Sequence, residues 1–315
     1  MGLNTTTVGW FPWSAELGRM QRDHREGDVD DAALQAAAAD EMRDALRLQE
    51  DLGLDVHVDG QFDRGDMISF LAERIDGTEE GGLVRCFGNR YYRKPVITGA
   101  VSRNGPLTVD VWKRARAAAS RPVKAVITGP YTLMHCSFDE HYGSRAECCR
   151  AMTEIVRDEV VDLVAAGAEE IQIDEPAIGA RPDEMELAAS VLARVTEAAR
   201  GRARTWAWLG YGDLGPVLDR VLSLPVDGLL LEMANSGLEI VDGLDRLPAD
   251  KLLGAGVLDV LTDEVESQDV LGRRIERLSQ KVPRDRLWLV PDAGLRTLTP
   301  ETARDKLRAM VAAAG

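Results

Sequence analysis

Along the chain, short apolar runs rich in β-formers alternate with longer stretches in which apolar residues recur every three or four positions, the pattern of strands feeding amphipathic helices. Thr5 to Trp10 (TTTVGW) reads as a first strand stopped by Phe11-Pro12. Asp30 to Leu52 has a helical period, with Ala33, Ala37, Met42, Ala45, Leu46 and Leu52 on one face, a cap at Asp30 or Asp31 and Gly53 at its end. Leu54 to Val58 reads as a second strand delivering Asp59-Gly60-Gln61, and Met67 to Ile75 as a short helix. Gly81 to Arg103 breaks the rhythm: two β-rich runs flank Gly88-Asn89, a hairpin laid across one end of the domain as a lid or substrate wall.

From Thr108 the alternation is regular. A helix from about Val109 leads to a strand at Val123 to Thr128, and a long helix from Arg145 to Ala166 leads to the stretch EEIQIDEPA, whose strand ends at Asp174-Glu175 before Pro176. Helix Met185 to Ala199, strand Thr205 to Leu209, helix Pro216 to Leu222, strand Gly228 to Glu232 and strand Lys251 to Leu258 follow. Helix Val265 to Val282, strand Leu287 to Val290 and helix Pro300 to Ala313 complete the chain. Eight strand signals joined mostly by helix-length connections predict an α/β chain folded as one (β/α)8 TIM barrel over residues 1–315, with a β-hairpin insertion after the second βα unit. No G-x-G-x-x-G opens a helix after the first strand, so a dinucleotide fold has no support.

In such a barrel the chemistry sits at the carboxyl ends of the strands. Here those ends carry Trp10, Asp59 to Gln61, Thr128 to Pro130, Asp174-Glu175, Trp208 to Tyr211, Glu232, Asp259 and Asp292. Carboxylates converging in a half-buried mouth raise one another's pKa, a usual route to a general acid or base. Taken singly each acid reads first as a helix cap or loop anchor, and Asp174 and Glu232 stand apart as the candidates for chemistry. Trp10 and Trp208 either plug the barrel or form an apolar slot or cation-binding wall.

Composition narrows the partners. A formal net charge of -15, a pI near 4.8 and no cluster of Lys and Arg argue against nucleic acid and against an anionic membrane. The four cysteines form no CxxC, and no stretch approaches the length of a membrane span, which predicts a reduced, cytoplasmic setting. None of the four histidines falls in an H-x-C or HExxH pattern. His135, after the third strand, is a candidate lone proton donor, and Cys136 has no activating partner legible in the sequence.

The order of motifs resembles the catalytic barrel of cobalamin-independent methionine synthase. The resemblance rests on TTTVGWFPWSAEL, LQEDLGLDVHVDGQFDRGDM, FGNRYYRKPVITGAVSR, ITGPYTLM, AGAEEIQIDEPA, GAGVLDV and LWLVPDAGLRT, and so runs nearly end to end. It implies a zinc ion that activates homocysteine thiolate and a folate polyglutamate that gives up a methyl group. Aligned on the family pattern, the zinc-ligand positions read Trp208, Gly210 and Ala293, with only Glu232 matching; Gln61 stands for a glutamate, Leu261 for a histidine, and Cys136 for a pterin-stacking tryptophan. Asp174, Glu175, Arg90, Asp66, Thr128 and Asp292 fit the pattern.

The expectation from sequence is therefore a zinc-independent enzyme on this barrel, a transferase moving a methyl or other one-carbon group to or from a small organic substrate, and not a methionine synthase. Asp174 would orient a polar or cationic group, Glu232 would act as base or charge stabiliser and His135 as proton donor. Trp10, Gln61, Trp208, Tyr211, Asp59, Asp292 and Arg90 would bind substrate. No cofactor is expected, since one carboxylate cannot hold zinc and the folate donor is left doubtful. A metal-free lyase or decarboxylase and a non-catalytic small-molecule binder are the alternatives, and assembly into a homo-oligomer is left open.

Overall fold

The structure is a computed structural model describing residues 2–87 and 90–315. Its elements in chain order are β1 (Asn4–Thr5), α1 (Ala15–Glu26), α2 (Asp31–Leu52), α3 (Ser69–Ala72), β2 (Ile75–Glu79), β3 (Leu83–Phe87), β4 (Arg90–Arg93), β5 (Val96–Arg103) and α4 (Val109–Ala118). There follow β6 (Ala125–Thr128), α5 (Pro130–His135), β7 (Phe138–Asp139), α6 (Arg145–Ala165), β8 (Glu170–Asp174), α7 (Met185–Thr196), β9 (Arg204–Leu209), α8 (Leu218–Leu222), β10 (Gly228–Leu231), β11 (Leu252–Leu258), α9 (Gln268–Ser279), β12 (Leu287–Pro291) and α10 (Pro300–Ala314).

Seven strands form one parallel sheet in the order β1-β12-β11-β10-β9-β8-β6. The stretch read as a second strand, Leu54 to Val58, is not a full strand but bridges the two edges. Asp55 and Val56 N–H donate to the Thr5 carbonyl at 3.1 and 3.2 Å, and His57 N–H donates to the Pro122 carbonyl at 2.9 Å. The sheet is curled, and this segment bonds both to its edge strand β1 and to the residue before the other edge strand. Register puts Val126 and Thr128, Gln172 and Asp174, Trp206 and Trp208, Gly254 and Trp288 on one face. On the opposite face Ile171, Ile173, Leu229 and Leu231 are fully buried, as expected beneath helices, and Thr5 and Thr205 share that face.

The helices follow their caps. Asp30 Oδ1 accepts from Ala33 N–H at 2.8 Å to open α2, as the sequence predicts. The 12-residue α1, capped by Ser14, was not anticipated because only Leu17 is buried and the apolar period is missing. The helix expected at Met67 to Ile75 shrinks to Ser69–Ala72, because Asp66 caps its start and Ile75 leaves to pair with Arg103 in β2–β5. The first strand is likewise only two residues, since past Thr6 the chain turns inward and leaves the β12 ladder. β3 and β4 pair antiparallel, Leu83 with Arg93 and Val84 with Tyr92; the turn expected at Gly88-Asn89 lies outside the described residues. No helix among the described residues is long and apolar enough to cross a membrane.

Glu159 of α6 joins three elements. Fully buried, it accepts from Arg103 Nη1 (2.7 Å), Leu107 N–H (2.7 Å), Thr108 N–H (2.6 Å) and Thr108 Oγ1 (2.8 Å). Because Glu159→Ala leaves the buried Leu107 and Thr108 amides without an acceptor and Arg103 with Asp162 alone, it should cost about 3 kcal/mol. Urea unfolding followed by circular dichroism would show the loss as a lower midpoint, and an unchanged midpoint would refute this account.

Candidate active site at the carboxyl end of the sheet

The strand ends bring together most of the acids read from the sequence, though in different states. Asp174, 2% exposed, accepts from Gln172 Nε2 at 2.6 Å. Burial pushes its carboxyl up to about 7, opposed by that bond and by Lys124 and Arg64. Asp59 lies nearby with Arg64 Nη2 at 3.4 Å, and burial raises it to about 6 despite the guanidinium. Gln61 adopts φ 57°, is 2% exposed, and its Oε1 has no partner among the described residues, which leaves a buried acceptor at the mouth.

Glu175 faces α5 instead. Its carboxylate accepts from Tyr131 N–H at 3.0 Å, Thr132 N–H at 2.7 Å and Thr132 Oγ1 at 2.6 Å, capping a six-residue helix that no apolar period announces. Asp292, expected to bind substrate, spends both oxygens on the chain itself: Met233, Ala234 and Asn235 each donate a backbone N–H at 2.8 Å. It positions the loop that carries Glu232. Glu232 in turn accepts from Tyr211 N–H and Asn235 Nδ2, so the loops after β9 and β10 are tied together.

Trp208 lies flat in this corner, 2% exposed, donating its indole N–H to the Asp292 carbonyl at 3.1 Å and meeting Tyr211 edge-on at 4.9 Å. A Cβ on Gly210 would lie 2.7 Å from both Trp208 and Glu232, so the ring and the carboxylate fit only because residue 210 has no side chain. Trp10 packs differently. Arg296 lies over its ring at 4.8 Å and over Trp13 at 3.7 Å, a guanidinium between two indoles.

His135, expected as a proton donor, sits at the end of α5 beside Arg145 (3.3 Å from Nη2 to Nδ1), and burial together with Arg145, Lys94 and Arg181 drives it down to about 4, which favours the neutral ring at pH 7. Cys136, without a partner in sequence, is hydrogen-bonded to Cys86 of β3, which lowers the Cys86 thiol to about 7 and raises that of Cys136. The Arg90 side chain lies outside the description.

A cleft of about 920 Å³ opens beside this mouth, lined by Trp10, Trp13, Phe70, Tyr91, Tyr92, Tyr211 and six arginines: Arg25, Arg64, Arg74, Arg93, Arg114 and Arg296. Sequence reasoning missed the cleft because its cations come from separate segments and the net charge hides them. It also missed Lys124, although a lysine inside the apolar run VKAVIT is a signal, since Lys is almost never fully buried without a role.

The family model for the catalytic domain of cobalamin-independent synthases matches residues 3–315. The chain belongs to that family. It is 33% identical over 322 residues to the 5-methyltetrahydropteroyltriglutamate–homocysteine methyltransferase of Mycolicibacterium paratuberculosis, covering 99% of this chain and 43% of the relative. It is 34% identical to the enzyme of the same name from Mesorhizobium japonicum, covering 98% and 41%. The chain thus spans about two fifths of the length of these curated relatives. In fold it matches a B12-independent methionine synthase from a Shewanella species, solved in complex with selenomethionine, with a TM-score of 0.87, 24% identity and coverage of 100% and 97%.

These likenesses agree with the resemblance and with a transferase, and they correct two expectations. Relatives along the whole chain are named as homocysteine methyltransferases, which overturns the expectation of an enzyme set apart from methionine synthesis. The names specify a methylated pteroyltriglutamate, and the family implies zinc, which overturns the expectation of no cofactor and the doubt over a folate donor. The side chains at the aligned ligand positions, Trp208, Glu232 and Ala293 with Gly210, do not fit zinc: they offer one carboxylate, already bonded to Tyr211 and Asn235. Among the described residues no group of three or more His, Cys, Asp or Glu could hold a metal ion.

Carboxyls raised by burial fix a sign for stability. Asp174, Glu175 and Asp292 bind protons at about 7 when folded, against about 4 when unfolded, so the folded chain holds more protons in that window. Their contribution is complete below pH 4 and is lost as pH rises through 7. Asp174→Asn should flatten this part of the stability–pH profile measured by thermal melting, and a profile as steep as that of the unaltered chain would show that Asp174 is not the group responsible.

Proposed function

We propose that this chain transfers a methyl group from a methylated pteroylpolyglutamate to the thiol of homocysteine, the reaction named for its relatives. The observation that carries the proposal is the arginine- and aromatic-lined cleft opening on a buried acidic mouth. In a chain of net charge -15, six arginines gathered against five acids suit a flat ring with a polyanionic tail.

In this reading residues 1–315 form one domain, a (β/α)8 barrel closed through residues 54–58, and β3–β4 is an insertion walling the cleft. Asp174 accepts from the amino acid's ammonium, with the Gln61 Oε1 as a second acceptor and Asp59 and Arg64 framing them. Trp208 and Tyr211 bound the thiol side. Glu232, beside that ring, takes the thiol proton, which the pteridine nitrogen must regain once the methyl has left. Trp10 and Tyr92 face the donor, and Arg296 pairs with its carboxylates. Asp292 holds the Glu232 loop in place. The partners are small molecules.

The test is methionine formation from homocysteine and 5-methyltetrahydropteroyltriglutamate, with and without added zinc. Turnover is expected; its absence under both conditions would refute the proposal. Asp174→Asn should lower kcat/KM for homocysteine roughly 10- to 100-fold, the effect of losing a charge-assisted hydrogen bond. Arg296→Ala should raise KM for the triglutamate donor more than for a monoglutamate.

A further inference from the structure

We propose that Lys124 is a positioning residue for Asp174: a buried ammonium, held beneath the mouth, that keeps the Asp174 carboxyl charged and able to receive a cationic group. Lys124 is 2% exposed and lies on the sheet face that also carries Gln172 and Asp174. Its Nζ donates to the Thr7 carbonyl at 2.8 Å. Gln172, fully buried, donates to the next carbonyl, that of Val8, at 2.6 Å, and to Asp174 Oδ1 at 2.6 Å. A polar column thus runs through an interior otherwise filled by aliphatic and indole side chains, from the lysine through two consecutive carbonyls to the acid. Burying an ammonium and an amide costs several kcal/mol each unless they are hydrogen-bonded, and the bonds of this column offset that cost.

The charges around the column leave Lys124 as the counter-ion. Asp174 faces Arg64 from the loop after residue 58, Glu175 from its own loop and Lys124 from below. Arg64 is shared by Asp59 at 3.4 Å and Asp63 at 3.0 Å, so two acids already draw on its one charge. Glu170, the other acid facing Lys124, is paired with Arg204 at 2.7 Å and accepts from Trp206 at 2.6 Å. Lys124 and Asp174 are the remaining opposite charges. Burial drives them in opposing directions, the lysine down and the acid up, each to about 7, and their mutual attraction opposes both shifts. Each therefore sets the charge of the other.

The coupling does not depend on methyl transfer; only its effect on turnover rests on that reading. The experiment is a carboxyl-carbon NMR titration of protein labelled at aspartate, with the Asp174 signal assigned from D174N. In Lys124→Met the Asp174 midpoint is expected to rise by about one pH unit or more, while Lys124→Arg should hold it near that of the unaltered chain. A folded Lys124→Met with an unmoved midpoint would overturn the proposal. Should neither lysine variant fold, the reciprocal measurement decides: in D174N the Lys124 side-chain resonance should titrate lower by a similar amount, and an unchanged midpoint overturns the coupling. In the enzyme, the acidic limb of the KM–pH profile for homocysteine should move with the carboxyl midpoint. Loss of methyl transfer alongside an intact titration shift would count against the proposed function and not against Lys124.

Discussion

The mouth of this sheet is held in shape by one carboxylate. Asp292 has both oxygens on three successive backbone N–H groups of residues 233–235, and its carbonyl receives the Trp208 indole. A carboxylate so enclosed compensates for burial with hydrogen bonds and, in doing so, fixes three strand ends relative to one another. Through Asn235 and Tyr211 the constraint passes to Glu232, and through Trp208 to the ring that closes the corner. Gly256 belongs to the same arrangement, since a Cβ there would lie 2.1 Å from Asp292 Oδ1. The geometry of the candidate site is thus set largely by groups that never meet a substrate.

Much of this was legible in the residues. The strands ending at Asp174, Leu209, Leu231 and Leu258 could be read from apolar runs because both sheet faces are buried, and the long helices from their caps. What escaped was local structure without an apolar period: α1, polar on all sides but one, and α5, six residues opened by a glutamate 45 positions beyond its first residue. Side-chain roles were harder still. Asp174, Asp292 and Glu175 look alike at strand ends, and only the donors around each separate an acceptor facing the mouth from two anchors.

Electrostatics could not be inferred from totals. The net charge of -15 describes the outer surface, whereas the cleft gathers arginines from α1, α4, β4, the loops around residue 64 and the segment after β12. With six arginines set against five acids the cleft is close to neutral in a molecule that is strongly acidic overall, so an anion meets less repulsion there than over the rest of the surface.

Gly210 constrains the choice of side chain at 208 as well as the shape of the site. With Trp208 in place, any side chain at 210 meets both the indole and Glu232 at 2.7 Å, whereas a smaller residue at 208 would lift the indole half of that restriction. Side-chain volume at 208 and 210 is therefore coupled: a larger residue at 210 requires both a smaller one at 208 and a displaced Glu232 carboxylate.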